Sequence, residues 1–169
     1  ECLSNYSTLI PGTLEVVVDL RSRGIKIGST TGYLTEMMKI NLEDAKRQGY
    51  EPDATVCAAD VPAGRPLPYM CLQNVIKLGV STVQACVKID DTIPGVEEGL
   101  NAGMWTIGLA VSGNEVGMML DQWEALPAAE QRARRERAHA RMNQCGAHYV
   151  VDTIADIMPC IEDIQARIR

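Results

Sequence analysis

Five short apolar runs, at 25–28, 54–58, 86–89, 104–110 and 147–151, alternate along the chain with longer segments of helical period. That alternation restricts the fold more than any other feature. A strand written as a continuous apolar run is buried on both faces, and strands separated by amphipathic helices become neighbours in a parallel sheet through crossover connections. The expected fold is α/β, a Rossmann-like doubly wound parallel sheet. Leu14, Val17, Val18 and Arg21 stand at i, i+3, i+4 and i+7 and predict a first helix that Gly24 closes. Leu34, Met38, Leu42 and Ala45 predict a second, stopped by Gly49-Tyr50-Glu51-Pro52, and Cys71, Val75 and Leu78 a third, running to Gly79. Pro94 opens a fourth with Val96, Gly99 and Leu100 on one face, and Ile154, Ile157, Met158, Ile161 and Ile168 keep helical period in the last. With 169 residues the chain can bury one sizeable core, so a single domain is expected.

Charge and cysteine usage exclude several function classes. A formal net charge of −6 gives no global field to attract a phosphate backbone. Arg132, Arg134, Arg135, Arg137 and Arg141 do cluster at 128–143, but they alternate with glutamates and alanines and lack interleaved aromatics, which describes a solvated helix face. No apolar run approaches the roughly 20 residues of a bilayer-spanning helix, and no secretory signal pattern opens the chain, so a cytoplasmic protein is expected. Six cysteines without a C-x-x-C pair read as buried free thiols, and two histidines, His139 and His148, offer no zinc-ligand spacing.

The strand ends carry the chemistry. Ligands of open α/β sheets bind at the carboxyl ends of the strands. The first run stops in Gly28-Ser29-Thr30-Thr31-Gly32-Tyr33, whose hydroxyls can donate to an anion, and Thr31 is the first site candidate. The second leads into Asp60-Val61-Pro62-Ala63-Gly64-Arg65-Pro66-Leu67-Pro68, a rigid loop bearing one cation, Arg65. The third ends in Asp90-Asp91-Thr92. Singly, each has an ordinary explanation: hydroxyls and aspartates cap helices, and Arg65 can be a surface charge. Together at one sheet edge they suit phosphoryl chemistry, because donors and a cation neutralise phosphate oxygens while carboxylates hold magnesium.

In these residues the chain resembles the haloacid dehalogenase superfamily of aspartate-nucleophile phosphotransferases. The strand before Thr31 is similar to its second motif, Arg65-Pro66-Leu67-Pro68 to its third, and Lys88-Ile89-Asp90-Asp91-Thr92 to its acidic fourth. Ile27-Gly28-Ser29-Thr30-Thr31-Gly32-Tyr33, Val61-Pro62-Ala63-Gly64-Arg65-Pro66 and Glu98-Gly99-Leu100-Asn101-Ala102-Gly103-Met104-Trp105-Thr106 resemble, more narrowly, the branch that hydrolyses the carbon–phosphorus bond of phosphonoacetaldehyde. The resemblance runs over nearly the whole chain. It implies that Thr31 and Arg65 are catalytic, that Thr30, Thr31, Gly32 and Arg65 bind phosphate, and that Asp91, helped by Asp90, binds Mg2+. It implies also an aspartyl nucleophile and a Schiff-base lysine carried by a helical cap.

The chain departs from that pattern in two places. The nucleophile string D-x-A-G-T occurs nowhere in it, and no segment resembles the cap. Both are expected upstream of Glu1, so that residues 1–169 form the C-terminal part of the core domain, lack the central strand between the first and third apolar runs, and are inactive alone. Gly95 stands where some relatives carry a second acidic residue. The expected partners are a small-molecule phosphonate, a second copy of the chain as a homodimer and an N-terminal segment of the same protein, with no nucleic acid and no membrane. The alternatives are another magnesium-dependent phosphatase or phosphomutase of the superfamily, and a non-catalytic remnant of the fold.

Overall fold

The computed structural model describes residues 8–32 and 35–168, the side chains of 35–37, 39 and 40 apart. Helix α1, Thr13–Ser22, precedes strand β1, Gly28–Thr31, and α2, Thr35–Arg47, precedes β2, Ala54–Cys57. Then come α3, Tyr69–Leu78, β3, Val87–Asp90, α4, Ile93–Asn101, and β4, Trp105–Leu109. Helices α5, Leu120–Glu124, and α6, Ala128–Gln144, lead to β5, Tyr149–Val151, and α7, Met158–Arg167. Every ladder is parallel: Gly28 pairs with Ala54, Val87 with Trp105, and Ile107 with Tyr149.

The strands fall into two sheets, β1-β2 and β3-β4-β5, and the break between them lies between the first and third apolar runs, where the central strand is expected to be lacking. Among the described residues no backbone ladder joins β1 to β3; side chains cross the gap instead, with Lys88 Nζ donating to Thr30 Oγ1. Helices cover both faces. Ile107 of β4 packs with Val16 and Leu20 of α1 and with Ile161 and Ile164 of α7. Its neighbours Thr106 and Gly108 point the other way, against Gly99 of α4 and Met142 of α6, as strand alternation requires.

Several elements differ from their sequence expectation for identifiable reasons. The strand expected at 25–28 lies at Gly28–Thr31. Ile27 is engaged before the ladder starts: its N–H donates to Asp53 Oδ2 at 2.7 Å and its carbonyl accepts from the Asp53 N–H, so the β-branched threonines carry the ladder. In α1 the buried residues are Val16, Val17 and Leu20, while Val18 is 67% exposed, because a helix starting at Thr13 turns the 13/16/17/20 stripe inward. Gly24 follows it with φ +74°, the left-handed geometry of a helix end. Ile154 opens a separate 3-10 turn, Ile154–Asp156, and Ile168 lies past α7 and is exposed, while Ile157, Ile161 and Ile164 are buried. Leu34 falls outside the described residues. Helix α6 buries Ala138 and Met142 and presents its arginines outward. The five described cysteines are free: Cys57 and Cys71 are buried, Cys86, Cys145 and Cys160 half-buried. No described helix is long and apolar enough to cross a membrane.

Candidate active site

Two glycines of α4 create the site. Gly95 and Gly99, one helical turn apart, face Asp90 and Lys88, which alternate on one side of β3. A Cβ at Gly95 would stand 2.0 Å from Asp90 Cγ, and one at Gly99 would stand 2.5 Å from Lys88 Cβ. Only glycine lets the helix lie directly on two charged side chains and bury them. Thr92 caps this helix by accepting from the Gly95 N–H at 3.1 Å, with Pro94 in the first turn. The same helix contributes Glu98; β1 supplies Thr30, and the loop after β2 supplies Arg65. That loop is itself tied to α4, since Asn101 Nδ2 donates to the Pro66 carbonyl at 2.8 Å.

These side chains form a closed network of two cations and two anions. Lys88 Nζ lies 3.0 Å from Asp90 Oδ2 and 3.2 Å from Glu98 Oε2, so with Thr30 all three ammonium donors are used. Arg65 Nε lies 3.2 Å from Glu98 Oε2, while Nη2 reaches Asp90 Oδ2 at 3.2 Å, Thr30 Oγ1 at 3.1 Å and the Thr30 carbonyl at 3.3 Å. Nη1 makes no hydrogen bond to a described residue. Glu98 is fully buried and Lys88 and Asp90 nearly so, whereas the Arg65 side chain retains 22% of its exposure. Arg65 is therefore the charge that meets solvent.

Burial opposes ionisation of Asp90, but Lys88 and Arg65 outweigh it with help from Thr92 and hold its carboxyl below the usual range. Nearby Cys71 goes the other way. Burial pushes its thiol up to about 12, which removes it as a nucleophile near neutral pH.

Of the residues singled out in the sequence, Thr30, Arg65 and Asp90 come together. Thr31 ends β1, paired in the ladder with Cys57, and Gly32 follows it, exposed, at the same sheet edge. Asp91 turns toward the loop after β4, where its Oδ2 accepts from the Asn114 N–H at 3.0 Å and Gly113 packs against it. Lys88 and Glu98 were missed. A lysine inside an otherwise apolar strand, opposite a helix with glycines four apart and a glutamate beside the second, was the signal that could have found them.

The carboxylates differ in fitness for magnesium. Asp90 Oδ1 accepts from the Thr92 N–H at 3.0 Å and its hydroxyl at 2.7 Å, and Oδ2 already faces two cations. Asp90 is thus a partner of Arg65 and Lys88, with both oxygens engaged. An acidic residue at position 95 is excluded by the contact with Asp90. Asp91 fits, as a hard oxygen donor at the sheet edge. Among the described residues no three His, Cys, Asp or Glu side chains converge.

The phosphonoacetaldehyde hydrolase of Hahella chejuensis is 46% identical over 165 residues, covering 98% of this chain and 56% of its own length. That of Bordetella pertussis is 47% identical over 168 residues, covering 99% and 61%. The chain therefore spans about three fifths of the length of the curated relatives it matches. A crystal structure of a phosphonoacetaldehyde hydrolase-like protein from Oleispira antarctica superposes with a TM-score of 0.95 at 48% identity, covering 98% of this chain and 60% of that one. Residues 2–103, which hold the Thr30, Arg65, Lys88, Asp90 and Glu98 network, match the family model of the haloacid dehalogenase-like hydrolases, and the chain belongs to that family.

Proposed function

We propose that this chain forms the phosphoryl-binding half of an enzyme that hydrolyses the carbon–phosphorus bond of phosphonoacetaldehyde, giving acetaldehyde and phosphate. The observation that carries the proposal is Arg65: a part-exposed guanidinium held on one side by Glu98, Asp90 and Thr30, with Nη1 left to meet an anion. The names of the relatives at 46–47% identity supply the substrate.

In this reading Arg65 receives the phosphoryl group and neutralises its oxygens as charge shifts toward the leaving carbon. Thr31 and Gly32, at the end of β1, donate to the remaining oxygens. Asp91 would hold Mg2+, which supplies further charge neutralisation at the phosphoryl group when bound. Lys88 is not the amine that condenses with the aldehyde, because it is buried and its three donors are taken. None of the chain's own residues is given the role of aspartyl nucleophile or Schiff-base lysine in this reading.

The test is the full-length protein supplied with phosphonoacetaldehyde and magnesium, with both products measured. Acetaldehyde and phosphate released in equal amounts support the proposal. Phosphate released from phosphate monoesters, with no acetaldehyde from the phosphonate, would replace it with a phosphatase or phosphomutase reading.

A further inference from the structure

Glu98 is buried without any exposure, yet its Oε1 has no hydrogen-bond partner among the described residues. Its other oxygen, Oε2, is shared by Arg65 Nε and Lys88 Nζ at 3.2 Å each. As a device for stability this is poor, since a buried carboxylate repays its desolvation only when its lone pairs are satisfied. Lys88 also has Asp90 at 3.0 Å as a counter-charge. What Glu98 alone supplies is the hold on Arg65 Nε. A guanidinium is a rigid plane, so fixing Nε and Nη2 fixes the direction in which Nη1 points.

We propose that Glu98 is a positioning residue for phosphoryl recognition: it clamps Arg65 through Nε, so that Nη1 meets the phosphoryl oxygens at a set angle. This inference rests on the phosphoryl-site reading of Arg65. Glu98 touches no substrate and acts only through Arg65. Its removal therefore spoils the aim of the guanidinium while leaving the cation in place. Turnover falls, and ground-state anion binding is largely kept, because the lost clamp is offset by the loss of a nearby negative charge.

The test combines side-chain NMR with kinetics on the full-length protein, using inorganic phosphate as the binding probe. In the wild type the Arg65 Nε–H exchanges slowly with solvent; in Glu98→Gln that protection is lost. For Glu98→Gln the expected split is a kcat lower by about tenfold or more with a phosphate Kd changed by less than about threefold. In an Arg65→Lys background, which has no Nε to clamp, adding Glu98→Gln changes kcat by less than about twofold. If Glu98→Gln fails to fold, Glu98→Asp is read in the same cycle, and the wild-type exchange measurement needs no variant. A fast-exchanging Nε–H in the wild type, or an equal kcat loss in both backgrounds, overturns the inference. Absence of any turnover of phosphonoacetaldehyde refutes the substrate reading alone, because the exchange and phosphate-binding arms still decide the role of Glu98.

Discussion

Among single residues, the network stands on how its buried charges balance one another. Asp90 is held ionised by Lys88 and Arg65, so its folded pKa lies below that of the unfolded chain, about 3.9. A carboxyl depressed in this way contributes stability that is present above the unfolded value and is lost as pH falls through the folded one. Asp90→Asn should therefore lower stability at pH 7 by about 3–5 kcal/mol, since the buried Lys88 and the part-exposed Arg65 both lose a partner. It should also flatten the decline below pH about 4. Urea midpoints from pH 7 down to pH 3 check both, and an unchanged acid slope would count against this role of Asp90. Arg65 and the aspartate pair were legible in the sequence because a lone cation in a proline-framed loop and carboxylates at a strand end are unusual local signals. Glu98 was not, because nothing in Val96-Glu97-Glu98-Gly99 says which glutamate turns inward; only packing against β3 decides that. The pairing of Asp90 with Lys88 was hidden for the same reason, since it comes into view only with the strand register.

At the scale of elements, strand–helix alternation was legible and side-chain facing was less so. The parallel pairing of β3 with β4 and β5 follows from continuous apolar runs, whereas the shift of β1 toward its threonines depends on Asp53, a residue of another segment, engaging Ile27. Helix α4 is the element on which the site stands. Gly99→Ala would press a methyl to within 2.5 Å of Lys88 Cβ and 2.9 Å of Thr106 Cγ2. It should destabilise the protein by about 1–3 kcal/mol, as overpacking does, and lower activity with it. Chemical denaturation measures the first effect, and a stability equal to wild type would mean that α4 does not lie this close to β3. Helix α6 provides the contrast. Arg135 pairs with Asp152 at 2.8 Å but remains 55% exposed, so Arg135→Ala should cost at most about 1 kcal/mol and leave turnover unchanged.

At the scale of the whole molecule, two parallel sheets meet at a gap that side chains bridge, and the proposed phosphoryl site sits at that gap. Periodicity counts the strands, and the break between β1 and β3 falls where the central strand is expected to be lacking. Here Lys88, Thr30 and Arg65 join the halves through polar contacts, so Arg65, the residue that would receive the phosphoryl group, also ties β1 to β3. In the proposed function this junction is the phosphoryl site of a carbon–phosphorus hydrolase. The most direct measurement is simultaneous release of acetaldehyde and phosphate from phosphonoacetaldehyde by the full-length protein, alongside its Arg65→Ala and Asp91→Ala variants. The account predicts equal release of the two products by the wild type, and a loss of about a hundredfold or more in each variant with secondary structure intact by circular dichroism. Near-normal release by either variant, or phosphate without acetaldehyde from the wild type, would contradict it.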